Sequence, residues 1–234
     1  MLCHGGLRIR MHSTIKKEMI IRKGAEANLY YGRWFDKKVI FKYRIPKIYR
    51  IEELDKRIRN TRTLNEARAL IKVKNYGLNV PQVYDIDTTN SIIVMKFIKG
   101  EKLKNKLNNL EDTNKTEIFK NIGSDIATLH MNGHIHGDIT TSNIIITKNQ
   151  KIFFIDFGLH DYSDSIEDKS VDIHLLKRVL ISTHGKDYNT CYNAFLKGYK
   201  REYTKYNAEE CQQIINNIEV IETRGRYVKK EERL

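Results

Sequence analysis

Cysteine and proline are both scarce. The chain of 234 residues has 3 Cys, at positions 3, 191 and 211, an odd number with no CxxC spacing. That excludes a disulfide scaffold and a four-ligand zinc site, and it points to a reducing, cytoplasmic compartment. With 2 Pro, 13 Gly and 40% hydrophobic residues, disordered, collagen-like and low-complexity classes are excluded as well. Long apolar runs are missing: SIIVM at 91–95 is typical, and a bilayer span needs about 20 residues. The early segment LRIRMHSTIKKEM, 7–19, is broken by charge and has no signal-peptide core. Eight histidines offer one i,i+4 pair, His130 and His134, and Gly133 between them reads as a helix stop rather than a two-ligand face.

Charge of one sign is plentiful. Lys and Arg number 42 against 29 Asp and Glu, a net of +13. The segment 42–74 has eleven basic residues and four acids, so more than half the surplus lies there. The first 23 residues add +5 and the last twelve +3, so the rest of the chain is slightly acidic. Localised positive charge points to an anionic partner such as nucleic acid. Arg57, Arg59 and Arg62 are the natural contacts, with the nucleotide site expected to be independent of them.

Short β-branched and aromatic runs at 15–22, 27–34 and 37–43 predict strands. Helical spacing through Leu54, Ile58, Leu64, Ala67, Ala69, Leu70 and Val73 predicts a helix over 51–75, stopped by Gly77 and Pro81. Strands are expected at 82–86 and 91–98, and a helix over 114–131. NIIIT at 143–147 and KIFFIDF at 151–157 read as a hairpin, and helices are expected at 168–183, 187–204 and 207–223. The whole predicts an α+β, bilobal fold: an N-lobe at 12–97, a mainly helical C-lobe at 98–223 and a basic tail at 224–234.

The sharpest chemical signal is HGDITTSN at 136–143 with DFG at 156–158. Asp138 and Asn143 are five apart, the spacing of a phosphotransferase catalytic loop. In such a loop the aspartate orients a hydroxyl, while the asparagine and the DFG aspartate, here Asn143 and Asp156, hold Mg2+ on nucleotide phosphates. Magnesium wants hard oxygen ligands and keeps several waters, so one carboxylate and one amide suffice. Lys42, on the strand VIFK, suits the α/β-phosphates of ATP, with Glu66 on the amphipathic helix to aim it; Glu52 and Glu53 read as first-turn acids. The segment KGAEANLY at 23–30 takes the place of a phosphate-covering loop but has one glycine, Gly24. Its donors are Lys23 and backbone amides of Gly24, Ala25, Glu26 and Ala27. His136 reads as a structural residue of the loop. Tyr199, Tyr203 and Tyr206 stand near Lys and Arg and suit either RNA stacking or a half-buried helix face.

Together these segments resemble a protein kinase fold reduced in size, and more narrowly the small atypical kinase/ATPase family of the KEOPS complex, related to the RIO kinases. The carriers are KGAEA at 23–27, the stretch from Phe41 to Arg68 ending in NEAR, HGDITTSN, IDFGL at 155–159, EDKSVDIHLLKR at 167–178 and RGR at 224–226. The resemblance implies ATP and Mg2+ as cofactors, with Asp138, Lys42 and Glu66 catalytic. It implies Met95, Lys96, Phe97 and Ile98 as the adenine-contacting hinge, and Asp172 as a brace of the catalytic loop. It also implies Ser/Thr kinase and ATP hydrolase activity, including autophosphorylation, in support of threonylcarbamoyladenosine formation at tRNA position 37. The expected partners are the threonylcarbamoyltransferase subunit, a small regulatory subunit on the N-lobe, and tRNA through the basic helix and tail. Two departures from ordinary protein kinases stand out. Gly137 replaces the arginine of HRD, which removes a reader of activation-loop phosphorylation, and no APE follows Gly158, so the usual substrate-docking part of the large lobe is expected to be missing or much reduced. Competing classes are a small-molecule phosphotransferase of the aminoglycoside or choline kinase type, and a non-catalytic module that presents the basic helix to RNA or a partner.

Overall fold

The computed structural model describes residues 15–227, and of 15–18 and 225–227 the backbone alone. The chain divides into two compact units. One runs up to Leu64 and includes Val83–Phe97; the other comprises Asn65–Gln82 and the chain from Ile98 on. The predicted α+β class holds. The expected division at 97/98 is modified by the segment 65–82, which belongs with the later unit.

In the first unit, strands β1 (Ile15–Lys23), β2 (Ala27–Trp34), β3 (Lys37–Arg44), β4 (Val83–Asp87) and β5 (Ile92–Lys96) form an antiparallel sheet in the order β1-β2-β3-β5-β4. Alternation on β3 sends Val39 and Phe41 into a core with Ile92 and Val94, backed by Tyr30, Trp34, Tyr43 and Tyr84. Helix α1 (Glu52–Asn75) starts in this unit and ends in the other. Its first turn departs from the expected apolar face. Leu54 is 50% exposed, whereas Asp55 is buried at 3%. Polar bonding wins there: the Asp55 carboxylate accepts from Lys47 N (3.2 Å) and Arg59 Nε (2.6 Å), with Arg50 at 3.6 Å.

The second unit begins with the later part of α1, where Ala67, Ala69, Leu70 and Val73 are buried. Strand β6 (Gly100–Lys102) and the short helix α2 (Leu103–Lys106) follow, neither of which was expected from periodicity because each is under two turns or repeats long. Then come α3 (Asp112–Met131), β7 (His134–Ile135), β8 (Ile144–Thr147), β9 (Ile152–Phe154) and β10 (Asp161–Tyr162). Helices α4 (Ile166–Thr183), α5 (Tyr188–Tyr203) and α6 (Ala208–Tyr227) complete it. The helix α6 therefore takes in the first residues of the expected tail, and 228–234 lie outside the described residues. The hairpin β8–β9 pairs with β6, and β7 pairs with β10.

Helices α3 and α5 cross at near contact. A Cβ at Gly123 would lie 2.1 Å from the Phe195 carbonyl oxygen, and one at Gly198 would lie 1.9 Å from that of Lys120. Along α5 the rings of Tyr192, Phe195, Tyr199 and Tyr203 stack in series, with centroids 6.4, 6.2 and 5.4 Å apart. Tyr199 and Tyr203 are fully buried, so the core reading applies to them, while Tyr206 is 65% exposed. The two buried cysteines among the described residues, Cys191 and Cys211, are free thiols.

The pairing of β7 with β10 places His134 Nδ1 2.8 Å from His160 Nε2, with the Tyr162 ring 4.5 Å from that of His134. Burial, then the neighbouring His134, brings the His160 pKa down to about 4; burial also lowers that of His134.

Two outcomes follow from this packing. Gly198→Leu has no room against backbone and should cost at least about 1–3 kcal/mol, read as a lower denaturant midpoint at unchanged slope. The unfolded histidines titrate near about 6.5, so between that value and the depressed native values the unfolded chain holds more protons. Their contribution to stability is present above about pH 6.5 and is lost as pH falls towards 4. His160→Gln should flatten the stability–pH curve across that window, as measured by urea unfolding at each pH.

Candidate active site

The catalytic-loop segment is fixed from beneath by one buried carboxylate. Asp172, on α4, accepts hydrogen bonds from His136 N at 2.8 Å and Gly137 N at 2.9 Å. Its Oδ2 also lies 3.2 Å from His130 Nε2, and the other His130 nitrogen is 2.9 Å from the Tyr199 hydroxyl. Asp172, His130 and His136 are all buried. Helix α4 is started by Ser165, whose hydroxyl accepts from Glu167 N and Asp168 N. Two helical turns later Asp172 points into the interior beside Ile173 and Leu176.

His136 is built into the loop by packing and by one backbone bond. It is buried against Phe157 with rings 4.5 Å apart, its Nδ1 accepts from Asp138 N at 3.3 Å, and burial lowers its pKa. Among the described residues its Nε2 has no hydrogen-bond partner. Gly137 has φ +79, and a Cβ there would meet the Leu159 carbonyl oxygen at 2.3 Å. The missing arginine therefore has a steric cause: this backbone admits glycine and no side chain.

Asp138 and Asn143 meet. The Asn143 amide donates to Asp138 Oδ2 at 2.7 Å and to the Asp138 carbonyl at 3.1 Å. Both donors of that amide are spent on Asp138, which leaves its oxygen as an acceptor. Ile155 N donates to the Asn143 carbonyl at 2.9 Å, which brings the chain back to the loop one residue before Asp156. Asp156 has φ 66, a left-handed conformation that aspartate tolerates better than most residues. This kink ends β9 at Phe154, three residues before the end of the predicted strand. Thr141 Oγ1 lies 3.0 Å from His184 Nε2, and His184 Nδ1 lies 3.2 Å from Asn108 Oδ1, which secures the loop's far end. One carboxylate and one amide oxygen, with no cluster of three His, Cys, Asp or Glu among the described residues, fit a hard cation carried largely by phosphates and water. They do not fit zinc.

In the first unit, Lys42 is 7% exposed and lies within β3, which continues to Arg44 rather than ending at the lysine. The strand is prolonged because Arg44 N donates to the Ser91 carbonyl. Lysine is rarely buried this far without a dedicated role. Its cross-strand neighbours are Leu29 and Ile93. Lys23 ends β1 and Ala27 begins β2, so Gly24, Ala25 and Glu26 form the turn. Gly24 N donates to the Ala27 carbonyl, and a Cβ at Gly24 would lie 2.8 Å from that oxygen. Glu26 is held twice: its carbonyl accepts from Ile45 N at 3.2 Å and its carboxylate pairs with Arg62 at 2.8 Å. Lys47 Nζ donates to the Ala25 carbonyl. Met95 is buried at the end of β5, Lys96 is exposed, and Phe97 sets its ring 5.0 Å from Tyr31. Ile98, also buried, begins the second unit, where Glu66 also belongs and is buried.

Two of the three arginines expected to face an anionic partner have internal roles. Arg59 bonds Asp55 and reaches Ser91 Oγ at 3.3 Å, and Arg62 bonds Glu26. Arg62 is thereby tied to the 23–27 turn through Glu26, and Arg59 to the start of α1 through Asp55. The roles of Asp55, His130 and His184 escaped the sequence reading: Arg59 does follow Asp55 at i,i+4, but the partners of His130 and His184 are 42 to 76 residues away.

Comparison with known proteins agrees with this construction. The family model described as the RIO domain matches residues 34–171. A KEOPS complex subunit Bud32 from Pyrococcus abyssi is 44% identical over 214 residues, 89% of this chain and 96% of that protein. Proteins named as probable bifunctional tRNA threonylcarbamoyladenosine biosynthesis proteins are also similar. That of Methanothermobacter thermautotrophicus is 41% identical and that of Methanocaldococcus jannaschii 39%, over 89% and 90% of this chain. The chain spans 36% and 37% of the length of those two relatives. With the Asp172-braced loop, the DFG aspartate in its left-handed kink and this coverage together, the chain belongs to the RIO domain family, in the group that contains the Bud32 subunit of KEOPS.

Proposed function

We propose that this chain is a Mg-ATP-dependent phosphotransferase and ATP hydrolase that supports threonylcarbamoyladenosine modification of tRNA position 37 within a KEOPS complex. The observation that carries the reading is the lock of Asn143 onto Asp138, with the Asn143 carbonyl accepting from Ile155 N, the residue before the kinked Asp156. An asparagine committed by both amide hydrogens presents its oxygen outward at no further conformational cost. The similarity to the Bud32 subunit supports the choice of complex.

In this reading Asn143 and Asp156 hold Mg2+, and Asp138 orients the attacking oxygen of water or of a Ser/Thr hydroxyl, autophosphorylation included. The bound magnesium supplies neutralisation of the charge on the phosphates. Asp138 Oδ2 already accepts from Asn143, so Oδ1 is the atom left to receive the proton. Lys42 binds the α/β-phosphates with Glu66 as its counter-ion, the turn 23–27 covers them, and Met95, Lys96, Phe97 and Ile98 contact the adenine. The threonylcarbamoyltransferase subunit and a small regulatory subunit on the sheet-bearing unit are the protein partners, and the site of action is the cytoplasm. Among the described residues, no helix is long and apolar enough to cross a membrane. Transfer RNA engages the remaining exposed cations of α1, such as Lys56 and Arg57, and the tail.

Asp156→Ala should lower ATP turnover by about 100-fold or more while leaving the thermal midpoint within a few degrees, and should abolish tRNA modification by the reconstituted complex. Unchanged modification would overturn the proposal. Gly137→Arg, which restores the kinase arginine, should lose turnover rather than gain regulation, and should lower the thermal midpoint because its Cβ meets the Leu159 carbonyl.

A further inference from the structure

Helix α5 has two faces of opposite chemistry. One buries Cys191, Phe195, Gly198 and Tyr199. The other lines an open groove of about 710 Å³ with Leu196, Lys197, Lys200, Arg201 and Lys205 among its walls. The four cations follow one another at three, one and four residues, which places them along one side of the helix and the turn after it. Like charges three and four apart repel and destabilise a helix. Internal compensation is slight. Lys205 pairs with Glu202 at 3.0 Å, and Arg201 donates to Ser124 Oγ at 3.0 Å. Lys197 and Lys200 are exposed and have no ion-pair or hydrogen-bond partner among the described residues.

We propose that this α5 groove binds the phosphate backbone of RNA, as a second contact for the tRNA; the assignment of tRNA rests on the function proposed above. The cations are strung along the helix instead of converging on one point, which suits successive phosphates of a strand better than a single phosphate or nucleotide. The half-buried Leu196 and the methylene stems of the lysines give the floor an apolar character on which sugar edges can rest. Arg201 is pre-oriented by Ser124, which lowers the cost of ordering its long side chain on binding. The arginines of α1, by comparison, are partly consumed by Asp55 and Glu26. An acidic protein segment would meet the same charge, but it gains nothing from cations spread along an apolar floor.

The test uses the full chain and an unmodified tRNA transcript. Lys197→Ala, Lys200→Ala and Lys205→Ala are combined, leaving Arg201 in place because of its bond to Ser124. Each lost phosphate contact removes about 0.7–0.9 from the slope of log K against log salt, so the triple variant should lose about 2. ATP turnover without RNA should be unchanged. An unchanged salt slope would overturn the inference. So would loss of poly-glutamate binding with tRNA binding intact, which would assign the groove to an acidic protein. If the wild type lacks ATP turnover while the variant still loses the slope, the groove stands and the enzymatic reading falls.

Discussion

The course of the segment 136–143 depends on the carboxylate of Asp172. Two backbone amides and an imidazole converge on it in the buried interior. A buried carboxylate is costly unless its lone pairs are used, and charged acceptors make the stronger hydrogen bonds. Here the same bonds that satisfy the acid also dictate the course of the chain at His136 and Gly137. The turn then delivers Asp138 to the reach of Asn143, and Ile155 closes the loop against the strand that leads to Asp156. Removing the acid would leave buried amides without acceptors, which costs more than the bonds themselves contribute.

The sheet-bearing unit uses the same economy at Asp55. One acid at the start of α1 gathers Lys47 N, Arg59 and Arg50, and Arg59 continues to Ser91 at the start of β5. Glu26 does likewise for Arg62. Part of the positive surplus that first suggested a polyanionic partner is thus structural mortar, drawn into ion pairs that shape the turn after β1. Exposed pairs such as Glu26–Arg62 contribute little to stability, so their value lies in placement. The charge available for partners is smaller than the formal count, and α5 contributes to it although it lies far along the chain from the basic segment.

Strong periodicity and turn chemistry made most of the fold legible. The strands of the sheet and the long helices fall within a few residues of expectation, because each has several repeats of its pattern. What escaped is short or set by contacts distant in sequence. The two-residue strands β7 and β10 exist only through each other. Predicted strand 151–157 is cut short by the positive φ of Asp156, a backbone choice that no local propensity announces. The replacement of arginine by Gly137 was legible as a departure, but its cause, the Leu159 carbonyl, was not. Likewise the helical spacing that put Leu54 inward was overruled by a carboxylate with three partners.

The closeness of α3 and α5 carries a warning for interpreting activity. Gly198 presses on the Lys120 carbonyl, the next residue Tyr199 holds His130, and His130 holds Asp172. Displacing one helix by a fraction of an ångström would therefore tilt an imidazole on the other and loosen the acid that shapes the loop. An inactive variant at position 198 or 199 would look like a chemical lesion when it is a misalignment of the frame. Genetic screens for loss of function in this chain would accordingly mark the α3–α5 seam alongside the candidate site.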